Sequence, residues 1–156
     1  MKLAQALIER ADLQRKLAQL GARLQQNAQY QEGEAPAEDP QDLLTDYRRS
    51  AAALTRLIVA INRANHNVTL ADGTTMLAAL AERDRLKAEH AMLGKVADAA
   101  MADQSRYSRS EIRTLAAVDI RALRSEADNV AKRCRELDIQ IQQANWENDI
   151  AEEEAG

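Results

Sequence analysis

A few polar residues interrupt otherwise apolar helical patterns, and these are the positions where chemistry would be done. Arg10 falls within Leu3, Leu7, Arg10, Leu13, Leu17, Leu20 and Leu24. Arg83 and His90 fall within Met76, Leu80, Arg83, Leu86, His90, Leu93, Ala97 and Met101. Asn65 closes the series Leu44, Tyr47, Ala51, Leu54, Ile58, Ile61, and Asn145 closes Leu123, Ala127, Val130, Cys134, Leu137, Ile141. A guanidinium in a helical interface is costly unless it is paired, so each arginine calls for an acid. Asp138 falls level with Arg83 if the helices run antiparallel. A functional alternative gathers Arg10, Asn62, Arg63, Asn65, Arg83, Asn145 and Trp146 into one polar pocket suited to a small anion or nucleotide. Seam asparagines commonly fix register and oligomer state. His90 reads as a hydrogen-bonded interior histidine, and Cys134 as a small buried hydrophobe.

Catalytic patterns are missing. A di-iron bundle needs Glu-x-x-His repeats, and Glu89-His90 are adjacent, on different faces. There is no His-Glu-x-x-His, no paired-cysteine spacing, no glycine-rich phosphate loop and no Gly-x-Ser-x-Gly. Ser108 and Ser110 have no histidine near them in sequence. Of the acidic pairs that helical pyrophosphohydrolases use, Glu9-x-x-Asp12 is present, but helix 3 offers Glu82-x-x-Arg85. The reading is a non-enzyme without cofactor or metal.

The elements that would carry these residues are four long helices, predicted over about 2–30, 41–65, 75–102 and 119–149. Their apolar residues recur at alternating spacings of three and four, a coiled-coil-like seam. Gly33, Pro36 and Pro40 break the first pattern. Asp39 reads as an N-cap with proline following at the first helical position, and Asp119 as a second N-cap. Residues 67–70 and 112–115 allow short strands, and Ala71-Asp72-Gly73 a turn. Joined by short connections, the helices form two antiparallel hairpins, each helix roughly 40 Å long at ~1.5 Å per residue. The fold class is therefore all-α, a single domain over 1–149 followed by an acidic tail at 150–156.

The halves resemble one another. With Leu3 set against Met76, eight of nineteen positions are identical, among them Glu9/Glu82, Arg10/Arg83 and Gly21/Gly94. Leu57 to Asn65 recurs, altered, as Leu137 to Asn145. An internal duplication, 1–66 and 74–149, accounts for both matches. The far-end loops carry opposite charge. Residues 31–47 hold Glu32, Glu34, Glu38, Asp39, Asp42 and Asp46 with no Lys or Arg. Residues 106–124 hold Arg106, Arg109, Arg113, Arg121 and Arg124. Either both are simply solvated loops, or the two neutralise each other, within or between subunits, or the basic one, with Tyr107 as its aromatic, receives a phosphate or nucleic acid.

Composition bounds the function. No Phe, one Trp and three Tyr in 156 residues suit long helices packed through small side chains. A net charge of −4 disfavours general nucleic-acid binding. The single cysteine excludes an intrachain disulfide and fits a cytoplasmic location. No signal peptide is visible. The longest run of bulky apolar residues, Leu57 to Ile61, is far short of the ~20 residues a spanning helix needs.

Five segments, in order, carry a resemblance: Met1 to Gln14, Gln31 to Pro40, Ile61-Asn62-Arg63-Ala64-Asn65, Arg106 to Ile112, and Ala144-Asn145-Trp146. Together they resemble the septicolysin-like family of small bacterial proteins, with Ala64 where that family's pattern has Thr. The resemblance implies a mostly helical protein, and its name a cytolysin; it transfers no functional residues. The expected role is structural or protein-interaction, as a homo-oligomer. The rivals are a membrane-active protein, whose amphipathic hairpins would lie on a bilayer, and a small-anion binder.

Overall fold

In a computed structural model, which describes residues 1–101 and 112–151, the chain is all-α. Its helices are α1 (Leu3–Gln26), α2 (Pro40–Asn67), α3 (Met76–Met101) and α4 (Ile120–Glu147). They pack as two antiparallel hairpins, α1 with α2 and α3 with α4. Cross-links between helices fix the direction. Lys16 reaches Asp46 and Arg23 reaches Glu38 in the first hairpin; Arg83 reaches Asp138 and Arg124 reaches Asp98 in the second.

The helix starts follow the expected chemistry. The Asp39 carboxylate accepts the Gln41 N–H at 2.8 Å, with Pro40 at the first helical position. The Asp119 carboxylate accepts the Ala122 N–H at 3.0 Å. Such caps satisfy amide donors that the helix leaves unpaired. The end of α1 comes earlier than periodicity predicts, at Gln26 rather than near Tyr30. Asn27 ends it: its side chain donates to the Arg23 carbonyl at 2.9 Å and accepts the Glu38 N–H at 3.0 Å. The connection's own backbone is thereby tied to the helix end.

The strands allowed at 67–70 and 112–115 do not form. Among the described residues, β pairing is limited to two isolated bridges, Thr69 with Thr75 and Lys2 with Asp149. The first sits on a turn too short to hold a ladder. Leu70 N–H donates to the Thr74 carbonyl at 2.8 Å, and Gly73 N–H to the Leu70 carbonyl at 2.9 Å. Gly73 has φ +86°, a conformation that suits a residue without Cβ.

The chain divides into two compact units. One holds Met1–Val68 with the end of the chain from Gln143; the other is Thr69–Gln142. In the first, Leu3, Leu20 and Ile61 are fully buried; in the second, Met76, Leu86 and Ile141 are. Leu3 and Met76, and likewise Ile61 and Ile141, are counterparts in the two half-sequences. Local hydrogen bonding repeats too. Ala6 N–H to Lys2 (3.0 Å) matches Ala79 N–H to Thr75 (2.9 Å). Val68 N–H to Ala64 (2.8 Å) matches Asn148 N–H to Ala144 (3.1 Å). Leu70 N–H to Thr74 (2.8 Å) matches Ile150 N–H to Met1 (2.9 Å). The Lys2–Asp149 bridge thus stands where Thr69–Thr75 stands in the other half.

The Lys2–Asp149 bridge carries a charge that the Thr pair lacks. Lys2 Nζ lies 2.8 Å from Asp149 Oδ2. This hydrogen bond first, helped by the charges of Lys2 and the N-terminal amine, holds the Asp149 carboxyl below its ordinary 3.8 against the opposing effect of burial. A depressed carboxylate stabilises the fold fully above its unfolded value. That contribution is lost as pH falls through the lower folded value. Carboxyl NMR should therefore place the Asp149 midpoint below 3.8. The protection of the Leu3 and Ile150 amides, relative to their intrinsic exchange rates, should fall only under acid, and Asp149→Asn should abolish that pH dependence. A midpoint at or above the ordinary value would show that the bridge does not persist in solution.

Candidate functional site

The residues proposed for one polar pocket are distributed over several surroundings. In the first unit, Asn62 and Arg63 line a cavity of about 390 Å³ with Val59, His66 and Asn67. Arg63 also borders a second cavity of about 300 Å³, walled by Ala64, Asn67, Asn148 and Asp149. Asn145 is buried, Asn65 half-buried, and Trp146 exposed. Arg10 lies half-buried on α1, and its Nε is buried without a hydrogen-bond partner. Arg83 belongs to the second unit. Its Nη1 donates to Asp138 Oδ1 at 3.1 Å, the pairing that the antiparallel reading anticipates, while its Nε makes no hydrogen bond and lies 3.9 Å from Asp84 Oδ1.

Three of the loop charges, Glu38, Asp46 and Arg124, are paired close at hand. Arg23 holds Glu38 through two hydrogen bonds, and these keep the Glu38 carboxyl below its usual range. Asp46 is lowered by Arg49 and then Lys16. Arg124 pairs with Asp98. Arg113 is exposed. Arg106, Tyr107 and Arg109, like Ser108, Ser110 and residues 152–156 of the acidic tail, lie outside the described residues.

Two features of the second unit are not apparent from the seams alone. The first is a groove between α3 and α4, a cavity of about 470 Å³. Lys87 and His90 border it from α3, and Cys134, Arg135, Asp138 and Ile139 from α4. His90 is therefore an exposed groove residue rather than an interior one, and Cys134 is half-buried. The second is the outward side of α3. Leu77 (60% exposed), Met92 (58%) and Val96 (37%) lie there, with exposed Ala81 and Ala88 between them and Ala99 beyond. At 100° per residue all six fall within an arc of about 100°, which exposed Arg85 and Lys95 share. Their counterparts on α1 are Ala4, Gln19, Arg23, Ile8, Arg15 and Gln26, a largely polar set. The fold thus tolerates polar residues at these helical positions, and the apolar set on α3 is not a requirement of hairpin packing.

Among the described residues no group of His, Cys, Asp or Glu is placed to hold a metal ion. None of the described helices is long and apolar enough to cross a membrane.

Residues 10–150 match the model of a family of unknown function, DUF6847, and the chain belongs to that family. Among solved structures it is similar to a functionally unknown conserved protein from Corynebacterium diphtheriae. The two share 38% identity over 97% of this chain and 99% of that one, with a TM-score of 0.90. No curated protein matches. The comparisons thus support an all-α protein of a family without assigned function, and they carry no septicolysin-like name.

Proposed function

We propose that this member of the DUF6847 family is a structural, protein-interaction module that works as a homodimer paired through the outward face of α3. The observation behind this reading is the exposed arc on α3, apolar apart from Arg85 and Lys95. A helix that is apolar on more than its packed side needs a second cover, and exposed contiguous apolar surface marks interaction sites. The arc suits a second copy of itself. In an antiparallel pairing centred on Ala88, Leu77 of one copy meets Ala99 of the other, and the two Ala88 residues meet. Small residues there let the helices approach, and Lys95 comes within a turn of the other copy's Asp84. Such a twofold contact is self-complementary.

Light scattering after size exclusion tests it. The expected mass is twice the 17.3 kDa chain, kept in high salt because the contact is apolar. Met92→Glu should return the monomer with helical circular dichroism unchanged. A monomer at tens of micromolar, or a dimer indifferent to Met92→Glu, would sink the reading. The cytolysin rival has its own assay. Dye release from anionic liposomes at micromolar protein would place the arc on a bilayer surface instead. The small-anion rival rests on the cavities at Arg63. A rise in Tm with phosphate compounds, lost in Arg63→Gln, would favour it.

A further inference from the structure

The two halves serve as internal controls for each other, and one place where they diverge is a cavity. Set the first hairpin on the second by the alignments that bring Leu3 to Met76 and Leu57 to Leu137. Leu17 then stands where His90 stands, Leu54 where Cys134 stands, and Ile58 where Asp138 stands. At the rim, Gln14 corresponds to Lys87 and Thr55 to Arg135. Three bulky aliphatic side chains in one hairpin are matched by shorter or polar ones in the other, and two neutral side chains by two cations. The groove of about 470 Å³ lies at these substitutions.

Packing alone does not favour that change. Replacing a seam leucine by cysteine removes apolar volume and stabilising contacts. Bringing Lys87 and Arg135 to one groove sets two positive charges near each other, and the groove's single carboxylate, Asp138, is already engaged by Arg83. What remains is a concave surface with Ala131, Cys134 and Ile139 as its apolar part and a net positive rim. Its volume is within the range of small-molecule sites, roughly 300–1,000 Å³.

We propose that the α3–α4 groove binds an amphiphilic carboxylate. Its acid group sits between Lys87 and Arg135, and its hydrocarbon body lies on Ala131, Cys134 and Ile139. A hydrocarbon body is required because the surface between the cations is apolar. A single negative charge is required because Asp138, though paired, disfavours a second anion nearby. The site is independent of the proposed dimer face, which lies on another side of α3.

Cys134 is the only cysteine in the chain, so its reactivity reports on this groove alone. The test measures the rate at which the neutral reagent 4,4′-dithiodipyridine modifies Cys134, with submicellar decanoate, decylamine or inorganic phosphate present. Decanoate should slow the reaction at least tenfold at saturation, whereas decylamine and phosphate should leave it unchanged. In Lys87→Gln/Arg135→Gln the unprotected rate should persist and decanoate protection should vanish. Equal protection by decylamine would overturn the proposal, since the cations would then select nothing. Protection by phosphate alone would overturn it as well, since the apolar floor would be idle. A second variant avoids the thiol readout: Cys134→Leu restores the side chain of the first hairpin and should abolish the heat of decanoate binding in calorimetry. Undiminished heat in that folded variant would place decanoate elsewhere and sink the assignment.

Discussion

Ile61→Ala and Ile141→Ala should each cost about 2–5 kcal/mol of stability, the range for truncating a packed aliphatic core residue. The argument starts from burial. Both side chains are 1% exposed, and each stands at the same place in its own half-sequence, three residues before the last buried alanine of its helix. That alanine is Ala64 in α2 and Ala144 in α4, both buried. Two terms add: the apolar surface no longer removed from water, and the void left where neighbours cannot close in. Small neighbours limit the collapse, because an alanine has no rotamer with which to fill a gap. Urea unfolding followed by helical circular dichroism measures the loss as a lower midpoint at unchanged slope. Ile8→Ala is the control, since that side chain is 56% exposed and its removal should stay within about 0.5 kcal/mol. A loss below about 1 kcal/mol at either buried position would mean that its surroundings relax around the void, against the packing described.

The architecture was legible because it depends on local signals. Two Asp N-caps and a 3–4 apolar spacing specify where α2 and α4 begin and which side faces inward. Helix level in an antiparallel hairpin then follows from chain length, which is how Asp138 could be matched to Arg83 from sequence. The end of α1 was not legible. Nothing in Gln25 to Tyr30 breaks a helix, and the stop is made by Asn27 meeting an amide eleven residues on. The seam reading also treated His90 and Cys134 as interior because it assumed that every seam position is filled. The groove arises where short or polar side chains leave the seam open. A signal existed: comparing each seam position with its counterpart in the other half singles out Leu17/His90, Leu54/Cys134 and Ile58/Asp138. The same comparison off the seam exposes the apolar face of α3, which Ala-rich composition hides. The pocket gathered from seam polars rests on periodicity alone. Shared periodicity places residues on similar helix faces but does not say which surroundings each face meets.

Asp138→Ala should destabilise the protein by about 1–2 kcal/mol, because it removes the acceptor of a guanidinium that the fold has largely taken from water. Arg83 is 22% exposed and Asp138 44%. That exposure keeps the estimate below the cost of breaking a fully buried pair, since solvent screens the carboxylate side. The Arg83 Nε has no hydrogen-bond partner and only a 3.9 Å ion pair with the largely exposed Asp84, so losing Asp138 leaves the group with little internal compensation. Arg83→Leu in the Asp138→Ala background should therefore recover most of the loss, as the stranded charge is gone, and a double-mutant cycle reads the coupling directly. Additive losses would show that the 3.1 Å contact carries no coupling. Arg10 supplies the complementary case. At its counterpart position the first hairpin has Ile58 where the second has Asp138, and the Arg10 Nε is likewise buried without a partner. Arg10→Leu should accordingly raise stability by about 1 kcal/mol, by removing an unsatisfied donor and adding apolar contact. The same residue type at matched places in the two halves is thus expected to stabilise one hairpin and to weaken the other, with the acid at position 138 as the difference.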